Sequence, residues 1–298
     1  MTDRAQGLPV VPVRHPGQVV AAVVVVALLA WLAVAIGRNQ FIQWDAVGER
    51  LTASAILGGL GVTVWLTIAA MVLGVVGGVG LAVARLSSNR VLRVLSGGYI
   101  WLFRGTPVLV QILVWFNLAL FFPRLGFGAL SVDTNSVITP FGAALLALAL
   151  NESAYMAEIV RGGIQAVDQG QTEAAQALGM KRSLALRRIV LPQAMRVIIP
   201  PTGNELVTLL KTTSLVAVIG AGDLLTKAQA IGAVDFTRME MLIVASIWYL
   251  ALVTIATAGQ TVLERRYTRG HAGSPQGPGW GRLVRNLLPG RRMQEVTR

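Results

Sequence analysis

From Val19 to Gly37 the chain carries no charged residue, no polar side chain and no proline. At 1.5 Å per residue a helix of that length crosses a hydrocarbon core about 30 Å thick. An apolar run this long leaves little choice of fold, because a backbone in lipid must bond to itself and therefore coils into helices. Five further apolar stretches follow: Ala55–Ala84, Tyr99–Phe122, Val137–Val160, Pro201–Ala221 and Met241–Val262. Tyr99–Phe122 is interrupted by Arg104-Gly105-Thr106-Pro107, and Gly74 and Gly78 in Ala55–Ala84 form a small-xxx-small pair suited to close helix contact. The expected fold is all-α, a polytopic transmembrane helical bundle with an uncleaved first span.

Charge supports this reading. Only 13% of the 298 residues are charged, where soluble domains carry roughly a quarter. The net charge of +12 is not gathered on a polar domain, so it does not point to nucleic acid. Lys and Arg concentrate in the N-terminal segment, residues 85–98, residues 161–200 and the tail, whereas the alternate connectors hold only Arg38, Arg50, Arg124, Lys227 and Arg238. The positive-inside rule makes the first set cytoplasmic, together with both termini. Cysteine is absent, and His15 and His271 lie apart in polar flanks, so neither a disulfide framework nor a metal centre is expected. No Walker-type phosphate loop, GxSxG or HExxH occurs, and no cofactor is called for.

One polar island breaks the apolar pattern. Gly170–Pro192, GQTEAAQALGMKRSLALRRIVLP, reads as a short helix, a turn at Gly179 and a second short helix that Pro192 stops. Glu173 is expected in the first turn of the first helix, where a carboxylate meets the positive dipole end. Ala174, Ala177 and Leu178 share a face. Elements this short need a docking partner to be stable.

Charged and polar groups at membrane depth are costly and tend to face a bundle interior or a water-filled path. Asn151, Tyr155 and Glu158 fall along one helical stripe, with Glu152 about 100° round from Asn151. Asn204, Thr208 and Lys211 make another stripe, followed by Thr212, Thr213 and Ser214. A path holding both signs can take the two ends of a zwitterion, Lys211 the carboxylate and Glu152 a cation. An internal ion pair of Glu152 with Lys211 or Arg104 is the structural alternative. For Arg104, Glu158 and Arg161 the choice is between snorkelling and gate salt bridges. Thr106 and Pro107 shape a helix break.

The island resembles the EAA loop of ABC-transporter permeases. Phe103–Gln111 (FRGTPVLVQ), Tyr155–Ile164 (YMAEIVRGGI), Leu191–Pro201 (LPQAMRVIIPP) and Asn204–Ile219 (NELVTLLKTTSLVAVI) look like the polar amino-acid permeases of the histidine/glutamine/arginine type. The resemblance covers nearly all of residues 55–262. It implies a type I ABC importer permease with five core spans plus one extra N-terminal span, in a bacterial plasma membrane. The implied layout is a cytoplasmic segment 1–17, the extra span with an interfacial segment 18–54, the permease domain 55–263 and a basic tail 264–298.

The resemblance further implies two copies of an ATP-binding subunit, a second permease subunit in a homodimer or heterodimer, and an extracytoplasmic amino-acid-binding protein. The implied activity is ATP-driven import of a polar amino acid by a subunit that is not itself an enzyme. Glu173, Ala174, Ala175, Gly179, Ile189, Leu191 and Pro192 would couple it to the ATPase. Asn151, Glu152, Tyr155, Lys211, Thr213 and Ser214 would line the substrate path, and Arg104, Thr106, Pro107, Glu158 and Arg161 would form a gate or helix break. Two competing functions, an ion-coupled secondary carrier and a non-transporting membrane scaffold, explain fewer of these features. The carrier predicts inverted repeats that the sequence lacks.

Overall fold

The computed structural model describes residues 16–126, 128 and 131–268. The chain divides into two units. The first holds α1 (Pro16–Gly37), whose residues are exposed on every side wherever their side chains are described. A helix that is apolar all round and unburied by protein is suited to lipid. The second unit begins at Gln43 and holds the rest of the fold.

In chain order this second unit contains α2 (Trp44–Arg50), α3 (Ser54–Leu86), α4 (Arg90–Gly105), α5 (Val108–Phe116) and α6 (Leu118–Phe121). A two-stranded antiparallel ribbon, β1 (Arg124–Leu125) with β2 (Val132–Asp133), pairs Arg124 with Asp133. Then come α7 (Thr134–Val137), α8 (Pro140–Gln165), α9 (Gln169–Ala177) and α10 (Arg182–Ala185). A π turn (Leu186–Val190) leads into α11 (Leu191–Thr212), and a 3-10 turn (Thr213–Ile219) precedes α12 (Leu224–Val234) and α13 (Arg238–Thr268). Among the described residues, four helices can by length and composition cross a membrane unbroken, α1, α3, α8 and α13. Two bent pairs raise the number to six: α4 with α5 at 102°, and the Arg182–Ile219 run with α12 at 45°.

The bundle is organised by α3 against α8. Gly59, Thr63, Leu66, Thr67, Ala70, Gly74, Gly78 and Ala82 bury one stripe of α3, spaced three and four residues apart. Small residues are required where the axes approach. A Cβ at Gly74 would stand 2.5 Å from Glu152 Cγ, and one at Gly78 would stand 2.5 Å from Met156 Cβ. This close approach lets dispersion hold helices that lipid would otherwise solvate equally well. Around it Leu66, Ala70, Ile112, Ala144, Leu148 and Val216 form the main core. A second cluster joins Val47 of α2 to Leu224, Ala228, Met241 and Val244. It is reinforced at α2 by an Arg50–Asp235 ion pair at 2.7 Å and by Trp248 Nε1 donating to the Leu51 carbonyl at 2.9 Å.

Several boundaries differ from those expected. The basic connector 85–98 shrinks to Ser87–Asn89, because Asn89 caps α4 by accepting from the Val91 and Leu92 amides at 2.9 and 3.5 Å. Arg90 and Arg93 thus lie in a helix. Pro192 does not stop the second short helix. It sits in the first turn of α11, directly after the π turn, so the chain coils on from Arg182 to Thr212 and passes through Pro200 and Pro201 as well. The polar stretch after Gly222 is mostly α12, started by the Asp223 side chain, which accepts from the Leu225 amide at 3.0 Å. The helix expected to end at Val262 continues to Thr268, into the first residues of the expected tail. The segment before residue 16 and the tail beyond 268 lie outside the described residues.

Candidate functional site

The break in the third span makes the site. Proline cannot donate a backbone hydrogen bond, and the residue before it is pushed out of the helical region. Thr106 is accordingly extended (φ −114°, ψ 143°), and α5 leaves α4 at 102°. A bend inside an apolar bundle strands the last carbonyls of α4, and two side chains recover them. Gln111 Nε2 donates to the Phe103 carbonyl (2.9 Å), the Thr106 carbonyl (3.1 Å) and the Thr106 hydroxyl (2.8 Å). Asn151 Nδ2 donates to the same Phe103 carbonyl (2.9 Å) and to Gln111 Oε1 (3.2 Å). Tyr99 Oη donates or accepts at 2.8 Å with Ser153 Oγ, near the Leu150 carbonyl at 2.8 Å.

A cleft of about 470 Å³ opens beside the break. Residues 104–108 form one wall, Leu148, Asn151, Glu152 and Tyr155 of α8 a second, and Glu205, Thr208, Leu209 and Thr212 of α11 a third. A second concavity, lined by Leu57, Leu60, Gly61, Val64, Trp65 and Ile68, is a groove along α3 alone and carries no charged or hydroxyl side chain. In the cleft, Glu152 is only 4% exposed and its Oε1 makes no hydrogen bond. Neither Glu152 nor Glu205 has an ion-pair partner among the described residues.

Beyond the cleft, α8 carries a charge cluster. Arg161 grips Glu158 with two bonds, Nη2 to Oε2 at 2.6 Å and Nε to Oε1 at 3.1 Å, and sends Nη1 to Gln165 Oε1 at 2.5 Å. Arg104 Nη1 stands 4.0 Å from Glu158 Oε2, and its guanidinium lies 5.2 Å from the centre of the Tyr155 ring.

Asn151, Glu152, Tyr155, Arg104, Thr106 and Pro107 therefore meet in one place, with Glu158 and Arg161 next to it. Three expected path residues do not line the cleft. Lys211 is exposed on another face of α11, and Thr213 is fully buried with its hydroxyl donated to the Leu210 carbonyl at 2.6 Å. Ser214 Oγ is spent on the Lys211 carbonyl at 2.8 Å. For Lys211 the physical reason is helical phase: of the stripe begun at Asn204 only Thr208 reaches the cleft, whose α11 wall is completed by Glu205, Leu209 and Thr212. Thr213 and Ser214 lie in the 3-10 turn beyond α11. The cleft also holds Glu205, which the sequence pattern does not single out although it is the sole acid between Asp168 and Asp223 besides Glu173. Gln111, which braces the break, carries one sequence signal, a lone amide within an apolar run four residues after a proline. The alternative reading, an ion pair of Glu152 with Arg104 or Lys211, is not found among the described residues, and Arg104 turns to Glu158 and Tyr155.

The polar island folds as a helix, a turn and a second helix. Asp168, not Glu173, supplies the anion at the start of α9, its Oδ1 accepting from the Gly170 amide at 2.7 Å. The helix begins at Gln169, which puts Glu173 in the second turn and not the first, exposed. Gly179 takes φ +78°, and the Gly179 and Met180 amides close the helix on the Gln176 and Ala175 carbonyls at 2.9 and 3.0 Å. Ala175 and Ala185 are buried, so Ala175 serves the inside of the hairpin. Ala174, Ala177 and Leu178 are exposed, Leu178 by 84%. Ile189 and Leu191 are half-buried, and Pro192 is exposed.

The sequence matches the family of binding-protein-dependent transport system inner membrane components over residues 74–269. The arginine transport system permease protein ArgU of Corynebacterium glutamicum is 45% identical over 261 residues, covering 87% of this chain and 83% of that protein. The arginine transport system permease protein ArtQ of Bacillus subtilis is 38% identical over 212 residues, covering 71% and 91%. The crystal structure of an amino acid ABC transporter with histidines superposes with a TM-score of 0.64 at 37% identity, covering 71% of this chain and 94% of that one.

Proposed function

The chain belongs to the family of binding-protein-dependent transport system inner membrane components, and from that premise we propose that the cleft beside the Thr106-Pro107 break is where it holds a cationic amino acid in transit. The chain is a permease subunit of an amino-acid ABC importer. One observation carries the choice of substrate: the α8 and α11 walls of the cleft each bring a carboxylate, Glu152 and Glu205, neither in an ion pair among the described residues, against the single cation Arg104. Carboxylates at membrane depth are tolerated when a partner arrives to neutralise them. A guanidinium or ammonium substrate group does so. Two relatives named for arginine transport support the same class.

Energy enters from a separate ATP-binding subunit in two copies, which dock at the exposed Ala174, Ala177 and Leu178 face of α9 on the cytoplasmic side. Both termini share that side, as the distribution of Lys and Arg supports. A second permease subunit completes the pathway, and an extracytoplasmic binding protein delivers the amino acid. Closure of the ATP-binding pair rocks α9 and turns the cleft outward, and hydrolysis resets it. The chain hydrolyses nothing itself.

The test is ATPase activity of the reconstituted importer, stimulated by the binding protein, across a panel of amino acids. Arginine, lysine and ornithine should stimulate most. Stimulation by acidic or neutral amino acids alone would overturn the substrate class.

A further inference from the structure

We propose that Arg104 is the carboxylate receptor of the cleft, so that the substrate lies with its α-carboxylate on the wall of the helix break and its cationic groups on the α8 and α11 walls. This rests on the cleft being the substrate site, as proposed above. Among the described residues Arg104 is the sole basic side chain lining it.

The guanidinium is placed but not consumed. Both Glu158 oxygens are already held by Arg161, at 2.6 and 3.1 Å. One carboxylate thus serves two arginines, and Arg104, at 4.0 Å, is the loosely held one. It makes no hydrogen bond among the described residues, and its side chain is 43% exposed. The Tyr155 ring, 5.2 Å away, keeps it at the cleft. An arginine fork with its donors free is the side chain best matched to a carboxylate, which it can grip through two parallel bonds.

The charges also complement each other one for one. In their ionised forms the cleft residues carry one cation, Arg104, and two anions, Glu152 and Glu205. Glu152 is all but buried there with Oε1 unbonded. A basic amino acid carries two cations and one anion. An amine with the same side chain but no carboxylate would leave Arg104 unanswered. The cleft therefore selects for the amino-acid backbone as well as for the cationic side chain, independently of the binding protein.

The experiment measures equilibrium binding of L-arginine and of its decarboxylated analogue agmatine to the permease–ATPase complex in nanodiscs, with no binding protein present. The native complex should bind arginine at least about tenfold more tightly than agmatine, as expected of a charge-assisted bidentate pair. Arg104→Gln should weaken arginine by roughly 10–100-fold on the same basis and leave agmatine unchanged or tighter. Arg104→Lys should retain part of the preference, and Glu158→Gln, which frees Arg104 further, should retain all of it. Equal weakening of both ligands by Arg104→Gln, or an undiminished preference, would overturn the proposal while leaving the cleft as the substrate site. Equal affinity of the native complex for the two ligands would also overturn it, whatever the yield of the variants. If the native complex binds neither ligand, the substrate-site reading fails and this assignment fails with it.

Discussion

Asn151 and Gln111, forty residues apart, are joined by an amide-to-amide hydrogen bond of 3.2 Å, and both donate to the Phe103 carbonyl. That carbonyl is free because the helix beyond it breaks at Pro107, and two side-chain amides replace the lost backbone donors. Removing Gln111 strands the Thr106 carbonyl, at a cost of about 1–3 kcal/mol for an orphaned group, and leaves the Phe103 carbonyl to Asn151 alone. Gln111→Leu should lower the thermal unfolding midpoint of the detergent-solubilised protein, read by tryptophan fluorescence. Gln111→Glu, which keeps the shape but loses the donors, should do the same. An unchanged midpoint in both would show that the carbonyls find other partners.

The Gly74 position tests the packing of α3 on α8. A methyl group there meets Glu152 Cγ at 2.5 Å, whereas one at Gly61 meets nothing within 4 Å. Gly74→Ala should reduce the yield of folded protein in size-exclusion chromatography and depress uptake, because overpacking costs about 1–3 kcal/mol. Gly61→Ala should match the native chain in both assays. Equal behaviour of the two variants would refute the close approach.

Glu205 offers a test of the cleft that Lys211 controls. Glu205→Gln should reduce arginine uptake by the reconstituted importer by about tenfold, the effect of losing one charged hydrogen bond. Lys211→Gln, changed on an exposed face of the same helix, should leave uptake near native. Affinity of the isolated binding protein for arginine provides the internal reference and should not move. Loss of uptake in Lys211→Gln with none in Glu205→Gln would reverse the assignment of the two faces.

At Gly179 the backbone is left-handed, which costs an L-residue other than asparagine or aspartate about 1 kcal/mol or more. Gly179→Asn should keep binding-protein-stimulated ATPase, and Gly179→Pro should abolish it. Leu178→Asp, which puts a charge on the most exposed apolar side chain of the hairpin, should lose co-purification of the ATP-binding subunit. Survival of both ATPase stimulation and co-purification in Gly179→Pro and Leu178→Asp would exclude this hairpin as the coupling element.

Much of the bundle was legible because lipid imposes a simple rule: long apolar runs coil. The break at Arg104–Pro107 was legible because proline and glycine act locally. The phase of a buried helix was not. Around the fifth span every face carries some hydroxyl or apolar group, so Asn204 and Glu205 start equally plausible stripes, and only the packing of α11 on α8 and α13 decides between them. Helix ends were read too short for a related reason. Arg90, Pro192 and the polar stretch after Gly222 look like connectors, yet an asparagine cap, a π turn and an aspartate cap carry helical structure across or up to each of them.

Helix α8 runs from Pro140 to Gln165 with no proline after its first residue and no interruption in its coil. Glu152 stands midway along it, and the α9 hairpin hangs from its far end across three residues, Ala166 to Asp168. A stiff shaft with a load at its middle and a handle at its tip transmits torque without gears. A tilt of α8 carries Glu152 with it, whereas a tilt of the hairpin must first pass the three residues that belong to neither helix. Inserting a proline at the exposed Gly162 would therefore disconnect the handle while leaving both ends intact.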